Sequence, residues 1–129
     1  MKSKVKILIV EDEAPVAVTM SFLLTRAGCE TEIATTATGA IQMAQAGNFS
    51  LITLDVNIPG GPNGFEICRK LKQNPRLRDT PIVIISGRAS IEDQQCGLDA
   101  GAVDYITKPF GGELVPRLLS HVKPTLVHA

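Results

Sequence analysis

Five side chains that could do chemistry together each stand near the end of an apolar run. Two acids follow the first run, a third acid follows the third run, a serine closes the fourth run, and a lysine comes just after the fifth. In an open parallel sheet the carboxyl ends of the strands meet at one edge, where ligands bind. We therefore expect the fold to bring five residues to one edge: Glu11, Asp12, Asp55, Ser86 and Lys108.

Three carboxylates at one edge repel one another unless a proton or a cation neutralises them. At about 4 Å and an effective dielectric constant of about 20, each pair costs about 4 kcal/mol. Oxygen ligands suit Mg²⁺, which keeps several waters and shares a phosphate, and Mn²⁺ is an alternative. Asp55 would then be both a metal ligand and a nucleophile that forms an acyl phosphate. Ser86 and Lys108 would offset the charge on the phosphoryl oxygens.

Each of these residues also has a purely structural explanation. Asp12, three residues before Pro15, could cap a helix, Ser86 could belong to a turn, and Lys108 could belong to a loop. Asp55 is harder to explain in this way, because the run before it is apolar enough to be fully buried. All the structural explanations would have to hold at the same edge of one sheet, so the pattern favours a functional site.

The elements that position these residues alternate between strand and helix. The first, third and fourth apolar runs are nearly continuous, as in the central strands of a parallel sheet, whereas the second alternates like an edge strand. Helical periodicity follows each run, beginning at Pro15 and ending before Gly28 in the first case, and Pro116 must lie in the first turn of the fifth helix or kink it. The predicted strands are Val5–Val10, Cys29–Ala34, Ser50–Leu54, Pro81–Ser86 and Ala102–Thr107, and the other predicted helices cover about 38–46, 65–72, 90–101 and 112–122.

Five such units predict a doubly wound α/β fold in a single domain over residues 1–129, with a core at about 4–123 and a tail at 124–129. Thirteen basic residues balance thirteen acidic ones, so we expect no direct contact with nucleic acid and none with a membrane. The start is basic and then apolar, but its run is too short for a signal peptide. Three cysteines, an odd number, predict reduced and partly buried thiols in a cytoplasmic protein: Cys29, Cys68 and Cys96.

Four segments resemble, in order and spacing, the motifs of the receiver (REC) domains of two-component response regulators, the family that includes the chemotaxis-Y-like proteins. They are "ILIVEDE" (Ile7–Glu13), "LDVNIPG" (Leu54–Gly60), "PIVIISGR" (Pro81–Arg88) and "GAVDYITKPF" (Gly101–Phe110). The resemblance covers nearly the whole chain. It implies a flavodoxin-like (βα)5 fold whose five-stranded parallel sheet has the order 2-1-3-4-5.

The resemblance implies that Asp55 accepts a phosphoryl group from a sensor histidine kinase or a histidine phosphotransfer protein. Glu11 and Asp12 match the family's acidic pair, with Asp12 the more direct Mg²⁺ ligand. Asn57 falls where a backbone carbonyl completes the metal shell. Lys108 matches the lysine that pairs with the phosphoryl group, and its bond to the following proline is commonly cis in this family.

Ser86 matches the family's switch hydroxyl, and Tyr105 matches its switch aromatic. A phosphoryl group adds about −1.5 to −2 charges, so Ser86 is expected to move toward it while Tyr105 turns inward. The alternative is that Tyr105 only packs. The switch would control a downstream target protein or an output domain by phosphorelay. Such a protein catalyses its own phosphorylation and dephosphorylation and is not a conventional multiple-turnover enzyme.

Two other functions remain open from the sequence. A haloacid-dehalogenase-like phosphatase also uses an aspartate nucleophile, but it requires a second acid at the position of Asn57. A receiver-like scaffold that binds proteins without phosphorylation would keep the same fold. A nucleotide-binding domain would need a glycine-rich loop after the first strand, where this chain has "VEDEAP".

Some features depart from the family pattern or lie outside the predicted site. The loop "PGGPNG" after Asp55, at Pro59–Gly64, is one residue longer than usual, and Pro116 is uncommon in the fifth helix. His121 and His128 are predicted to be solvated side chains rather than phosphohistidines.

Overall fold

A computed structural model describes residues 4–123 of the chain and contains one sheet of five parallel strands. The strand order is 2-1-3-4-5, as the resemblance implied. The predicted strands are confirmed to within two residues at their starts and end where predicted. The strands are β1 Lys6–Val10, β2 Glu30–Ala34, β3 Leu51–Leu54, β4 Ile82–Ser86 and β5 Asp104–Thr107.

Helices cover both faces of this sheet, which confirms the doubly wound α/β class. Helices α1 and α5 pack on one face, whereas α2, α3 and the end of α4 pack on the other. Among residues 4–123, no helix is long and apolar enough to cross a membrane. The helices are α1 Ala14–Arg26, α2 Ala37–Ala46, α3 Gly64–Gln73, α4 Ile91–Asp99 and α5 Leu114–Leu119, with a short 3₁₀ turn at Pro75–Leu77.

The central strands are buried on both faces because their side chains alternate between two apolar layers. In β3, Leu51 faces α1 and α5, whereas Ile52 and Leu54 face α2 and α3. Fully burying such a side chain stabilises the fold by about 1.5–3 kcal/mol. The edge position predicted for β2 is confirmed, since only Ala34 at its end is buried. The apolar layers therefore hold the carboxyl ends of β1, β3 and β4 side by side.

The start of α3 fixes the backbone around Asp55. Asn63 caps the helix by accepting a hydrogen bond from the Glu66 backbone, and Glu66 accepts one from the Asn63 backbone in return. Gly64 then lies directly against the backbone of Asp55 and donates from its own N–H to the Val56 carbonyl at 2.8 Å. A side chain at position 64 would collide with that backbone, so the glycine is required here.

The first and fifth helices differ in part from the sequence-based expectations. Glu13, not Asp12, precedes the first residue of α1, and no side chain caps that end. Pro116 lies in the first turn of α5, one of the two arrangements predicted, but the helix is shorter than the predicted span 112–122. After Leu119 the backbone tightens, because the His121 N–H bonds to the Leu118 carbonyl three residues earlier. The predicted tail at 124–129, with His128, lies outside the described residues.

The prediction that the His121 side chain is solvated is wrong. Its Nε2 lies 2.9 Å from Asp104 Oδ2, and the side chain is only 26% exposed. The same carboxylate receives two hydrogen bonds from the Arg117 guanidinium, at 2.7 and 2.8 Å. The Arg117 guanidinium is the main reason why the pKa of Asp104 lies far below its usual range. This cluster joins β5 to α5 and its following turn.

Candidate functional site

The carboxyl edge of the sheet brings together the three acids predicted from the sequence. One carboxylate oxygen from each of Glu11, Asp12 and Asp55 lies within 4.8 Å of the other two. Glu11 and Asp55 are buried, and Asp12 is exposed. Since β1 and β3 are neighbours in the sheet, the two buried acids extend from adjacent strand ends.

Lys108 lies between the two buried acids. Its Nζ is 2.6 Å from Glu11 Oε1 and 2.9 Å from Asp55 Oδ2, and it is 3.7 Å from Glu13 Oε1. Burial alone would lower the pKa of Lys108, but the hydrogen bonds to Glu11 and Asp55 outweigh it and raise that pKa. Lys108 is therefore a cation fixed at the edge of the sheet by its contacts with Glu11 and Asp55. The Lys108–Pro109 peptide bond is cis.

The two buried acids have different surroundings. Burial raises the pKa of Glu11, against the opposing effects of Lys108 and the Glu13 backbone N–H. Both Glu11 oxygens are engaged, Oε1 by Lys108 and Oε2 by that N–H at 3.1 Å. Asp55 uses Oδ2 for Lys108, whereas Oδ1 has only a long contact of 3.4 Å with the Asn57 N–H. Asp55 Oδ1 is thus the least engaged oxygen of the buried pair.

A pocket of about 400 Å³ opens above Asp55. It combines the acids that follow β1 and β3 with the lysine that follows β5. Gly87, which follows β4, has no side chain, and a Cβ added there would meet nothing within 4 Å, so the pocket is open on this side. The formal charges of Glu11, Asp12, Asp55 and Lys108 leave an excess of two negative charges, which suits a divalent cation. The pocket is lined by Asp12, Glu13, Asp55, Asn57, Gly87 and Lys108.

Ser86 and Tyr105 stand beside this pocket and do not line it. Ser86 is fully buried at the end of β4, and its Oγ accepts a hydrogen bond from the Arg88 N–H at 3.1 Å. Tyr105 is only 6% exposed, and its hydroxyl donates to the Arg88 carbonyl at 2.6 Å. The tyrosine expected to turn inward on phosphorylation thus lies inward in this structure.

Two residues that the sequence analysis did not single out border the site. Glu13, the residue directly before α1 and two residues after Glu11, approaches Lys108 at 3.7 Å. The guanidinium of Arg88 contacts Asp93 at 3.0 Å and Asn57 Oδ1 at 3.5 Å. The sequence does contain a signal that could have identified them, because each lies two residues after a predicted site residue: Glu13 after Glu11, and Arg88 after Ser86.

Comparisons with known proteins agree on one family. The model of the response regulator receiver domain matches residues 7–120. The phosphate regulon transcriptional regulatory protein PhoB of Escherichia coli is 40% identical over 114 residues, which are 88% of this chain and 49% of PhoB. The uncharacterized transcriptional regulatory protein YkoG of Bacillus subtilis is 38% identical over 120 residues, 93% of this chain and 50% of YkoG.

The solved structures give the same result. The chemotaxis protein CheY4 of Vibrio cholerae superposes with a TM-score of 0.85 at 31% identity, covering 94% of this chain and all of CheY4. The chain spans about half the length of the curated relatives that it matches.

Proposed function

This chain belongs to the receiver domains of two-component response regulators, and we propose that Asp55 is the residue that takes up the phosphoryl group in it. The observation that carries the proposal is the position of Asp55, which lines the pocket while its Oδ2 is held 2.9 Å from the Lys108 ammonium. That contact fixes the carboxylate through Oδ2. The other oxygen, Oδ1, has only a 3.4 Å contact with the Asn57 N–H and can engage another partner.

The surroundings of the acids favour Asp55 over Glu11 as the nucleophile. Glu11 is only 2% exposed, does not line the pocket, and has both oxygens engaged in hydrogen bonds, at 2.6 and 3.1 Å. Asp12 lines the pocket, but no lysine among residues 4–123 forms a salt bridge that would fix its orientation. Asp55 combines a fixed carboxylate with a weakly engaged Oδ1, which suits attack on an electrophilic phosphorus.

The proposed reaction forms one bond and breaks another. An Asp55 oxygen attacks the phosphorus of a phosphohistidine, and the P–N bond breaks with its electron pair remaining on the imidazole nitrogen, which then takes a proton from water. The product is an acyl phosphate on Asp55. Lys108 stays protonated and offsets charge on the phosphoryl oxygens, whereas Gly87 leaves space for the incoming group. Hydrolysis of the acyl phosphate would return the free carboxylate, so the chain would catalyse both directions of its own switch.

Receiver domains generally bind Mg²⁺ at an acidic pocket, and the donor set here fits such an ion because it offers oxygens and an excess of negative charge. We extend the proposal to a site held by the carboxylates of Asp12 and Asp55 with the Asn57 backbone carbonyl, in which Mn²⁺ could replace Mg²⁺. Glu11 would contribute through a lone pair that its hydrogen bonds leave free, since one of its oxygens lies within 4.8 Å of the other two acids. When bound, the ion would neutralise charge on the phosphoryl oxygens.

The proposed partners are a sensor histidine kinase or a histidine phosphotransfer protein and, downstream, a target protein or an output domain. An apolar pocket of about 450 Å³ lies beside Lys108 and is lined in part by Pro15, Val16 and Phe110. It borders the phosphorylation site, so a partner that brings a phosphohistidine to Asp55 would cover it. The proposal places the reaction in the cytoplasm, since unpaired cysteines suit a reducing compartment.

The test is to incubate the protein with Mg²⁺ and acetyl phosphate and to follow its intact mass. We expect one phosphoryl adduct, which should not form when the metal is chelated beforehand and should not form in Asp55→Asn. Asp79→Asn is the matched control, because that side chain is 86% exposed and lies outside the site. An adduct that persists in Asp55→Asn, or none with any donor, would refute the proposal and favour the protein-binding scaffold.

A further inference from the structure

Tyr105 has a close neighbour in α4 that the proposed function does not use. Gly97 is the buried residue of that helix, and it lies over the tyrosine ring. A Cβ added at Gly97 would lie 2.8 Å from Tyr105 Cδ2, 3.1 Å from Tyr105 Cε2 and 2.9 Å from Ile84 Cδ1. The first and last of these distances are shorter than real Cβ contacts. The ring can therefore occupy its buried position only because residue 97 has no side chain.

Glycine at this place is unfavourable for the helix itself. In a helix interior it costs about 1 kcal/mol relative to alanine, and α4 has only nine residues. Its backbone φ is not in the left-handed region, so no turn requires a glycine here. The requirement is for space between α4 and the ring.

The buried ring is connected to the site by three hydrogen bonds. The Tyr105 hydroxyl donates to the Arg88 carbonyl at 2.6 Å, and the Arg88 N–H donates to Ser86 Oγ at 3.1 Å. The Ser86 carbonyl accepts from the Lys108 N–H at 2.9 Å. The position of the ring thus sets the position of the segment between β4 and α4, which begins directly after Ser86, the residue whose hydroxyl is expected to approach the phosphoryl group.

We propose that Gly97 is a positioning residue that seats Tyr105 beneath α4 and thereby holds the segment after Ser86 in the position set by the hydrogen bond between the Tyr105 hydroxyl and the Arg88 carbonyl. The link from this seat to Asp55 rests on the proposed function, whereas the seat itself does not. A side chain at position 97 displaces the ring and breaks its hydrogen bond to the Arg88 carbonyl. Phosphorylation must then also return the ring to its buried position.

The chain offers a direct reporter, because Tyr105 is its one tyrosine and it has no tryptophan. Burial raises the pKa of the Tyr105 phenol in the parent. In Gly97→Ala we expect that pKa, measured by phenolate absorbance, to fall toward the ordinary value of about 10, and iodide to quench the tyrosine fluorescence more strongly. Cys96→Ala is the matched control, since Cys96 is the exposed neighbour of Gly97 in the same helix. A phenol pKa and quenching equal to those of the parent would overturn the proposal.

A second variant distinguishes a steric clash of the new methyl group from a general destabilisation of the fold. Ile84→Val removes the Cδ1 atom that would lie 2.9 Å from the new methyl group. Added to Gly97→Ala, it is expected to return the phenol pKa part of the way to the parent value. If the double variant is no closer to the parent, and both variants keep the parent circular dichroism, the crowding mechanism is wrong.

The link to the site is tested with beryllofluoride and Mg²⁺ as a phosphoryl mimic. In the parent the ring is already buried, so its quenching by iodide should change little. In Gly97→Ala the mimic should decrease the quenching, and a higher beryllofluoride concentration should be needed, because binding must also restore the seat. Equal responses of parent and variant would refute the link. If neither protein binds the mimic, the proposed function and the link both fail, whereas the resting titration still decides the role of Gly97.

Discussion

Replacing Lys108 with methionine would remove the ammonium that lies between two buried carboxylates. Its Nζ is 2.6 Å from Glu11 and 2.9 Å from Asp55, and the side chains of those acids are only 2% and 7% exposed. Methionine keeps an unbranched apolar stem, so the substitution tests the charge more than the packing.

The expected loss is large because two carboxylates would lose their shared partner. Removing one partner of a buried ion pair costs about 3–5 kcal/mol, and the open pocket beside Asp55 places Lys108→Met near the lower value, about 3 kcal/mol of unfolding free energy without metal. Mg²⁺ should restore part of this stability by replacing the lost positive charge. At a free concentration of about 100 times its Kd, a ligand of the folded state contributes about 2.7 kcal/mol.

The loss should also depend on pH, in a direction that follows from Glu11. Burial raises the pKa of Glu11, so the folded state binds its proton more tightly than the unfolded state does. Stability from that proton is present below the unfolded pKa and disappears as the pH rises through the folded one. Without Lys108 this effect grows, and Lys108→Met should be closest to the parent in stability at acidic pH and furthest from it above neutrality.

The assay is urea unfolding followed by circular dichroism, with a chelator or with Mg²⁺, at acidic and at mildly alkaline pH. Lys6→Met is the matched control, because Lys6 pairs with Glu32 at 2.7 Å but their side chains are 34% and 42% exposed. Surface pairs contribute little, so this control should lose much less. If Lys108→Met loses no more stability than Lys6→Met, or if Mg²⁺ does not narrow its difference from the parent, the electrostatic account of the site is wrong.

Three further experiments test other parts of the fold. Gly64→Ala should lower the melting temperature and the extent of phosphorylation together, because the new methyl group would lie 2.7 Å from Val56 Cα; an unchanged melting temperature would contradict this packing. In the native protein only Cys96 should react with a thiol reagent near neutral pH, since the other two cysteines are buried, and a count of labelled cysteines by mass would test this. Asp104→Asn should cost about 1 kcal/mol near neutral pH and less in acid, because Arg117 lowers the pKa of Asp104 and the stability from that pairing is lost as the pH falls; equal losses at both pH values in urea unfolding would refute it.

The sequence predicts the sheet well because burial of the strands leaves a direct mark in the chain. The three central strands are buried on both faces, so their residues form continuous apolar runs, whereas β2 alternates because it is an edge. The end of α5 was less predictable. Helical periodicity continues to Val122, but the turn after Leu119 and the contact of His121 with Asp104 depend on tertiary packing.

The candidate site was predictable as a set of residues but not as a network. Strand ends bring Glu11, Asp12 and Asp55 together, and any parallel sheet of this order would do so. The contacts of Lys108 depend on the path of a loop, which has no periodicity. The inward position of Tyr105 depends on space left by another helix, and no pattern near the tyrosine indicates it.

The most direct test of the central claim locates the phosphoryl group. The protein would be phosphorylated with acetyl phosphate and Mg²⁺, reduced with borohydride, which converts an aspartyl phosphate to homoserine, and sequenced by mass spectrometry. The account predicts homoserine at position 55 and at no other acid, with none in Asp55→Asn. Homoserine at Glu11 is excluded by its side-chain chemistry, so reduction of another acid such as Asp12, or a phosphoryl group that resists borohydride and maps to Ser86 or His121, would contradict it.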